Sequence, residues 1–142
     1  MQVPAYDPEN IFAKIIRGEI PNTTVYEDDD VLSFMDLFPQ SEGHTLVIPK
    51  KAQAVNFLDI DADNLCTLIQ RTQMIAKAVN EALDPEGIRI VQFNGEAAGQ
   101  TVFHLHFHII PMWQSRSMKP HGSGQADPAD LQKLADRIKA FL

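Results

Sequence analysis

The sequence predicts an α+β protein with an antiparallel sheet, one long helix and two short helices. Strand candidates lie on both sides of a single long segment with helical spacing, and most are joined by short turns, as is typical of antiparallel sheets. The 142 residues have the length of one domain, and no internal repeat divides them. We therefore expect a single domain over residues 1–142.

The first predicted element is a short helix near the N-terminus. Asp7 is suited to cap it, and Pro8 is suited to its first position because proline lacks an N–H that the first turn leaves unpaired. Gly18 and Pro21 end it. Its apolar face comprises Ile11, Phe12, Ile15 and Ile16.

Three strands are expected at residues 23–27, 31–36 and 44–49, with a hairpin turn at the acidic residues 28–30 and a loop at 39–43. The long helix is expected over residues 62–83, capped by Asp59 or Asp61 and ended by the segment at 84–87. Its apolar residues recur at helical spacing: Leu65, Leu68, Ile69, Ile75, Ala76, Val79 and Leu83.

Two further strands are expected at residues 88–93 and 103–111, around a loop at 94–101. A flexible segment at about 115–126, in which His121 is expected to be a solvated loop residue, leads to the last helix. Asp127 caps that helix and Pro128 opens it. Its inward face comprises Leu131, Leu134, Ala135 and Ile138.

Charge and composition exclude several classes of protein. A net charge of −7 disfavours binding to long nucleic acids, which requires many Lys and Arg residues against the phosphates. The chain has 44% hydrophobic residues and one cysteine, which favours a packed core and excludes an internal disulfide. It has neither a signal-peptide pattern nor an apolar stretch long enough to span a membrane. We expect a cytoplasmic protein without membrane partners.

The most informative segment is FHLHFHIIP at residues 103–111. In a strand, alternate side chains share a face, so His104, His106 and His108 would project together at spacings of about 6.6–7 Å. The alternate residues Phe103, Leu105, Phe107 and Ile109 would enter a core. Three of the five histidines of the chain therefore line one short strand face.

A row of imidazoles suits two kinds of chemistry. Imidazole is a nucleophile and a general acid–base near neutral pH, so one ring can attack phosphorus while its neighbours stabilise the phosphoryl oxygens. Alternating histidines also bind zinc in unrelated enzymes. A row of structural histidines is the third reading, and the spacing by itself leaves all three open.

The surrounding residues resemble the histidine triad family, whose signature His-φ-His-φ-His-φ-φ, with φ apolar, matches residues 104–110 at every position. Further matches are IFAKIIRGEIP at 11–21, FMDLFPQ at 34–40, GHTLVIPK at 43–50, and Asn94 with GQTV at 99–102. The resemblance covers about residues 9–112 and is closest to the Hint-like branch. It implies a purine nucleotide hydrolase or transferase that forms a nucleotidyl-histidine.

The resemblance also assigns roles residue by residue. His106 matches the nucleophile, and His104 and His108 match its flanking partners. His44 matches a fourth histidine of the same cluster, and Thr101 lies where the family has a hydroxyl near the leaving group. The remaining positions match nucleotide-binding residues: Asn94 and Gln100 at the phosphate, Asp36 at the ribose, and Ile11, Phe12, Phe34 and Leu37 at the base.

Several of these residues also have plain structural readings. His44 would serve as a core histidine, Asp36 as a strand-end residue and Thr101 as a strand start, while Phe12 and Phe34 would be buried in any function. Some bacterial members bind zinc through two N-terminal cysteines. This chain has Asn10 and Ala13 at those positions, so we predict no structural zinc and no cofactor.

Three functions follow from these readings. The first is hydrolysis of a nucleoside 5′-phosphoramidate or related purine nucleotide conjugate, with cleavage of dinucleoside polyphosphates as the alternative within the same class. The second is a nucleotide-binding regulatory protein, and the third is a zinc protein that uses the histidine row as ligands. The resemblance also implies a homodimer in which the helix at 62–83 and the strand at 88–93 pair with their counterparts across a two-fold axis. The sheet is then extended across the dimer.

Overall fold

The computed structural model describes residues 1–120 and 123–142, so the expectation for His121 lies outside the described residues. Within them, one antiparallel sheet has the strand order β1-β2-β3-β5-β4. The strands are β1 (Thr24–Glu27), β2 (Val31–Met35), β3 (Thr45–Pro49), β4 (Gly87–Val91) and β5 (Phe107–Met112). The helices are α1 (Ile11–Ile16), α2 (Ala62–Leu83) and α3 (Pro128–Lys139). The predicted fold class is confirmed.

The sheet separates two apolar clusters. Helix α1 covers one face, where Phe12 and Ile15 pack with alternate residues of β2 and β3, among them Phe34 and Leu46. Helices α2 and α3 cover the other face, where the intervening residues, such as Val47, are buried. Because strand side chains alternate between faces, β2 and β3 contribute to both clusters.

Capping side chains begin all three helices. Asp61 caps α2 and Asp127 caps α3, as predicted. The predicted cap of α1 was wrong: Asn10 Oδ1 accepts from Ala13 N–H, and the helix begins at Ile11. Asp7 instead accepts from Glu9 N–H one turn earlier, so Pro8 lies in that turn rather than in the helix.

The strand expected at 103–111 is shorter than predicted and begins at Phe107. The reason is a change of partner: Leu105 N–H donates to Ala54 O rather than to a sheet strand. Leu105, Phe107 and Ile109 are buried in the core, as predicted. Phe103, expected among them, is only half-buried.

A polar cluster anchors the β1–β2 turn to α2; we call it the Asp28 cluster (Tyr26, Asp28 and Arg71). Asp28 Oδ1 accepts from the N–H groups of Asp30 and Val31 at 2.8 Å each, which forms the predicted hairpin turn. Its Oδ2 accepts from Tyr26 Oη at 2.8 Å and Arg71 Nε at 2.7 Å. One carboxylate therefore joins the turn to a helix.

Gly43 allows the loop before β3 to pack closely. Its φ is +88°, a region that favours glycine, and a Cβ at this position would overlap Leu83 of α2 and lie 3.2 Å from Pro111 Cγ. The next residue is His44, so this close approach sets where the first histidine enters the site.

The C-terminal segment is tied to the 37–40 loop. Lys119 N–H donates to Gln40 O at 2.8 Å, and Ala126 N–H donates to Leu37 O at 2.9 Å. Among the described residues, no helix combines the length and the apolarity that crossing a membrane requires.

Candidate active site

Four histidines form a buried group that we call the imidazole cluster (His44, His104, His106 and His108). The ring centroids of His44 and His108 are 5.1 Å apart, and those of His106 and His108 are 4.9 Å apart. His44 is fully buried, whereas His106 has the largest exposed fraction, 8%. The predicted grouping of the histidines is therefore present, although only His108 lies within a strand.

Strand pairing explains how distant parts of the chain meet here. His108 of β5 pairs with Leu46 of β3, and His44 lies just before β3. Because Phe107 and Ile109 enter the α2 side of the core, His108 between them projects to the α1 side, where Phe12 contacts His106 edge-on at 5.0 Å.

Backbone carbonyls fix the hydrogens of two rings. His106 Nδ1 lies 2.7 Å from His104 O. A carbonyl only accepts, so Nδ1 donates and the lone pair of the neutral ring is on Nε2. His104 Nε2 likewise donates to Pro49 O at 2.9 Å. His106, the predicted nucleophile, is therefore oriented with its lone pair on Nε2.

A backbone N–H group determines the tautomers of the other two rings, His44 and His108. Gln40 N–H donates to His44 Nδ1 at 3.0 Å, which places the hydrogen of His44 on Nε2. That Nε2–H lies 2.9 Å from His108 Nδ1 and donates to it. His108 Nδ1 is then an acceptor, so its hydrogen is on Nε2. One backbone group thus determines which nitrogen of His108 is a donor.

Asp36 lies against this chain of hydrogen bonds. Its Oδ2 is 3.4 Å from His44 Nε2, and its Oδ1 accepts from Phe38 N–H at 2.8 Å. Asp36 is 6% exposed, so its carboxylate is held by protein groups rather than projecting into solvent. This contact with His44 was not part of the sequence analysis.

Electrostatics keep His104 uncharged. Burial lowers the pKa of His104 from 6.5 to about 4; the bond to Pro49 O opposes this shift and the neighbouring His106 adds to it. At neutral pH the ring is therefore a neutral donor and acceptor.

The two amides assigned to the phosphate lie in the loop after β4, and both hold that loop together. Gln100 is buried; its Nε2 donates to Val55 O at 2.7 Å, and its Oε1 accepts from Gly95 N–H at 2.9 Å. Asn94 Oδ1 accepts from Phe57 N–H at 2.9 Å. The Gln100 amide thus shapes the loop rather than pointing out of it.

Thr101 is exposed and precedes β5 instead of starting a strand. It borders a cavity of about 460 Å³ between the N-terminal segment and residues 101–103. A second cavity, of about 470 Å³, has His44 in its wall and lies under the C-terminal segment. The first cavity also includes Ile11, so it joins the predicted leaving-group side to the predicted base side.

The four apolar residues assigned to the base divide into two pairs. Ile11 and Leu37 are 48% and 37% exposed, unusual for large apolar side chains. Phe12 and Phe34 are buried and meet edge-to-face at 5.5 Å. The exposed pair is accessible to a ligand, whereas the buried pair belongs to the apolar cluster beside α1.

Sequence reasoning missed two aromatic residues of the site. Phe93, expected to end a strand, contacts the His108 ring at 5.5 Å. Tyr6 hydrogen-bonds to His104 Nδ1 at 2.7 Å from an irregular segment 98 positions away. Neither has a periodic signal, because strand and helix spacing carry no information about irregular segments.

Asp36, His44 and His108 have potential ligand atoms within 4.8 Å of one another, the spacing of a metal site. In this structure His44 Nε2 and His108 Nδ1 are hydrogen-bonded to each other at 2.9 Å. A metal ion would have to replace that bond and bind at the nitrogen on which His44 carries its hydrogen. At the N-terminal positions, Asn10 caps α1 and Ala13 is buried.

Relatives agree with this architecture. The chain is 50% identical to a Hit-like protein of Bartonella henselae, with a TM-score of 0.92 over 98% of this chain and 100% of that one. A zinc-bound histidine triad family protein of Mycobacterium smegmatis is 33% identical, with a TM-score of 0.80 over 94% and 92%. The adenylylsulfatase HINT3 of Arabidopsis thaliana is 36% identical over 117 residues, 78% of this chain and 59% of that protein.

An antiparallel sheet thus gathers four imidazoles beside exposed apolar side chains. The HIT domain matches residues 17–115, and the chain belongs to this family, with Hint-like relatives among its matches. The resemblance found in the sequence is confirmed.

Proposed function

We propose that the protein is a nucleotide hydrolase or transferase that releases a nucleoside monophosphate from a purine nucleoside 5′-phosphoramidate or related conjugate. The observation that carries this proposal is the bond from His106 Nδ1 to His104 O, 2.7 Å long. It places the lone pair of the most exposed ring of the imidazole cluster on Nε2. Membership of the HIT family and the relation to a named adenylylsulfatase support the reaction class.

In the first step, His106 Nε2 attacks the α-phosphorus and the phosphorus–nitrogen bond to the leaving amine breaks. The imidazole becomes cationic as the new bond forms, and the hydrogen bond from Nδ1 to the carbonyl strengthens because the donor gains positive charge. This intermediate divides one difficult displacement into two easier ones.

The leaving amine needs a proton, which we propose it takes from solvent, while the neutral His108 ring keeps its single proton and donates a hydrogen bond from Nε2 to the phosphoryl oxygens. Gln40 N–H, His44 and His108 form the sequence of hydrogen bonds that places a hydrogen on His108 Nε2. Thr101 is a further donor towards the leaving group. A phosphoramidate gains most from such a donor, since an amine leaves poorly unless it is protonated.

In the second step, water attacks the nucleotidyl-phosphorus on the side opposite the phosphorus–Nε2 bond. The phosphorus–Nε2 bond breaks and its electron pair returns to His106, which regenerates the neutral ring and releases the nucleoside monophosphate. The water gives up one proton to solvent, which replaces the proton that the amine took in the first step.

For the nucleotide, we propose that Ile11 and Leu37 contact the base above the layer formed by Phe12 and Phe34. Asp36 is proposed to accept from the ribose hydroxyls through Oδ2, since Phe38 N–H holds Oδ1. At the phosphate we propose Asn94 and the backbone of the loop that Gln100 supports.

Adenylyl sulfate is the second candidate substrate, because one relative is named an adenylylsulfatase. Its sulfate group leaves without needing a proton, so it gains less from a donor such as Thr101 at the leaving group. Dinucleoside polyphosphates and a binding role with little turnover are the remaining alternatives.

A substrate panel tests the proposal. Adenosine and guanosine 5′-phosphoramidates, adenylyl sulfate and diadenosine polyphosphates are offered to wild type and to His106→Ala. We expect phosphoramidates to have the highest kcat/KM, and the variant to lose turnover by roughly a thousandfold or more because its nucleophile is gone. Mass spectrometry should detect a nucleotidyl adduct on the wild type alone.

Nucleotide binding supplies the control, since His106→Ala should keep its fold and still bind the monophosphate. Unchanged turnover in the variant would contradict the nucleophile, and a faster reaction with adenylyl sulfate would replace the proposed substrate. We expect activity to survive a chelator. Loss of activity that added zinc restores would support the zinc alternative instead.

We also propose a homodimer through α2 and β4. Strand β4 lies at an edge of the sheet, and unprotected edges favour pairing. Ile69 of α2 and Ile90 of β4 are 43% and 46% exposed in the single chain. In the proposed dimer, these apolar side chains would be covered by the partner subunit. Light scattering at micromolar concentration should give the mass of a dimer, and Ile90→Arg should give a monomer. A monomeric wild type would contradict this arrangement.

A further inference from the structure

We propose that Tyr6 is a positioning residue of the active site, which holds His104 in one tautomer and through it orients the nucleophile. Its phenol oxygen lies 2.7 Å from His104 Nδ1, and the two rings are 5.6 Å apart. The kinetic part of this inference rests on the proposed function; the structural part does not.

The direction of the bond follows from the other side of the His104 ring. Pro49 O can only accept, so His104 Nε2 carries the hydrogen and Nδ1 carries a lone pair. The hydroxyl of Tyr6 must then donate. His104 is 1% exposed, so without this donor a buried acceptor would lose its partner, which costs more than the bond itself contributes.

The effect reaches the nucleophile through one residue. The carbonyl of His104 accepts from His106 Nδ1, so the residue that Tyr6 fixes also determines the tautomer of His106. The ring of Phe12 in α1 contacts both imidazoles edge-on, His104 at 6.2 Å and His106 at 5.0 Å. A tilt of His104 would therefore move the acceptor on which the position of Nε2 depends.

Protonation is the alternative state that Tyr6 opposes. Among residues 1–120 and 123–142, the titratable groups beside His104 are Tyr6, from the N-terminal segment, and His106. Helix α1 presents the uncharged Phe12, and β3 presents the carbonyl of Pro49. A donor on Nδ1 favours the neutral ring, because an imidazolium carries a hydrogen there and cannot accept. A cationic His104 would also repel the charge that develops on His106 during attack.

Tyr6→Phe removes only the hydroxyl. We expect kcat to fall about tenfold with little change in KM, because orientation of the nucleophile matters in the transition state more than in binding. The acid limb of kcat/KM should move to higher pH. In nitrogen-15 NMR, the Nδ1 resonance of His104 should change, showing the lost hydrogen bond.

Tyr26→Phe is the matched control, since Tyr26 is the other tyrosine of the chain and donates to Asp28 on β1–β2. It should leave both kcat and the His104 resonance unchanged. Tyr6→Phe with an unchanged resonance, or with kcat within twofold of wild type, would overturn the proposal while leaving that for His106 intact. A wild type without turnover would contradict the proposed function, and the nitrogen spectrum would still decide whether Tyr6 fixes the tautomer.

Discussion

Two polar clusters of this protein use hydrogen bonds in opposite ways. The Asp28 cluster pairs opposite charges near the surface, where the side chains of Asp28 and Arg71 are 23% and 33% exposed. Burial opposes charge on Asp28, yet hydrogen bonds from Arg71, from the backbone and from Tyr26 outweigh it and lower the pKa of this carboxyl. The cluster joins a turn to a helix and leaves the carboxylate with four donors.

The imidazole cluster contains rings that are almost fully buried. Each ring has one nitrogen set by a backbone group or by the next ring, and that choice determines the chemistry of the other nitrogen. Charge therefore stabilises the Asp28 cluster, whereas fixed backbone dipoles determine the tautomers of the imidazole cluster. A site of this kind depends on the position of its backbone, so packing near it should matter more than salt.

We expect the largest loss of stability from a substitution at Gly43, because close packing there positions the backbone of the imidazole cluster. Gly43→Ala introduces a Cβ that overlaps Leu83 and strains a φ of +88°. We expect a loss of about 2–4 kcal/mol in the free energy of unfolding, from overpacking and backbone strain together. Turnover should also fall at temperatures where the variant is folded, because His44 is displaced. Urea denaturation and steady-state kinetics measure the two effects.

Gly18→Ala is the control for this substitution. Gly18 has a similar φ of +79° but no atom within 4 Å of an added Cβ, so it adds the backbone strain alone. We expect about 1 kcal/mol and unchanged kcat. Equal losses in the two variants would show that the contact with Leu83 is unimportant and that packing does not place the backbone of the imidazole cluster.

Much of the fold could be predicted from the sequence because its signals are local. The bounds of α2 follow from apolar spacing, the cap at Asp61 and the breaking segment after Leu83. The cap of α1 could not be chosen reliably, because Asp7 and Asn10 are both good caps three positions apart. Residues 103–106 continue a strand pattern, but Leu105 N–H donates to Ala54 O, far away in the sequence, rather than to a strand.

The same distinction applies to the site. The histidine spacing predicted a cluster, and the resemblance supplied His44, which no local pattern would connect with His108. Tyr6, the carbonyl of Pro49 and the N–H of Gln40 could not be predicted, since two are backbone groups and the third lies in an irregular segment. Tautomers are set by these non-local contacts, so the sequence predicts which rings are present but not which nitrogen of each ring carries the lone pair.

The comparison also predicts two separate pH windows for stability. His104 has an ordinary pKa of 6.5 that falls to about 4 in the folded state, so its unfolded form takes up a proton first as the pH falls. The contribution of His104 to the free energy of unfolding is complete above pH 6.5 and is lost as the pH falls to 4. The loss from pH 7 to pH 5 is about 2 kcal/mol. Asp28 also has a lowered pKa, from 3.8, so its contribution is lost only below that pH.

In urea denaturation, His104→Gln should flatten the decline from pH 7 to pH 5, whereas Asp28→Asn should lower the free energy of unfolding equally at both pH values. An equal slope in wild type and His104→Gln would mean that His104 is not the buried neutral ring on which the imidazole cluster depends.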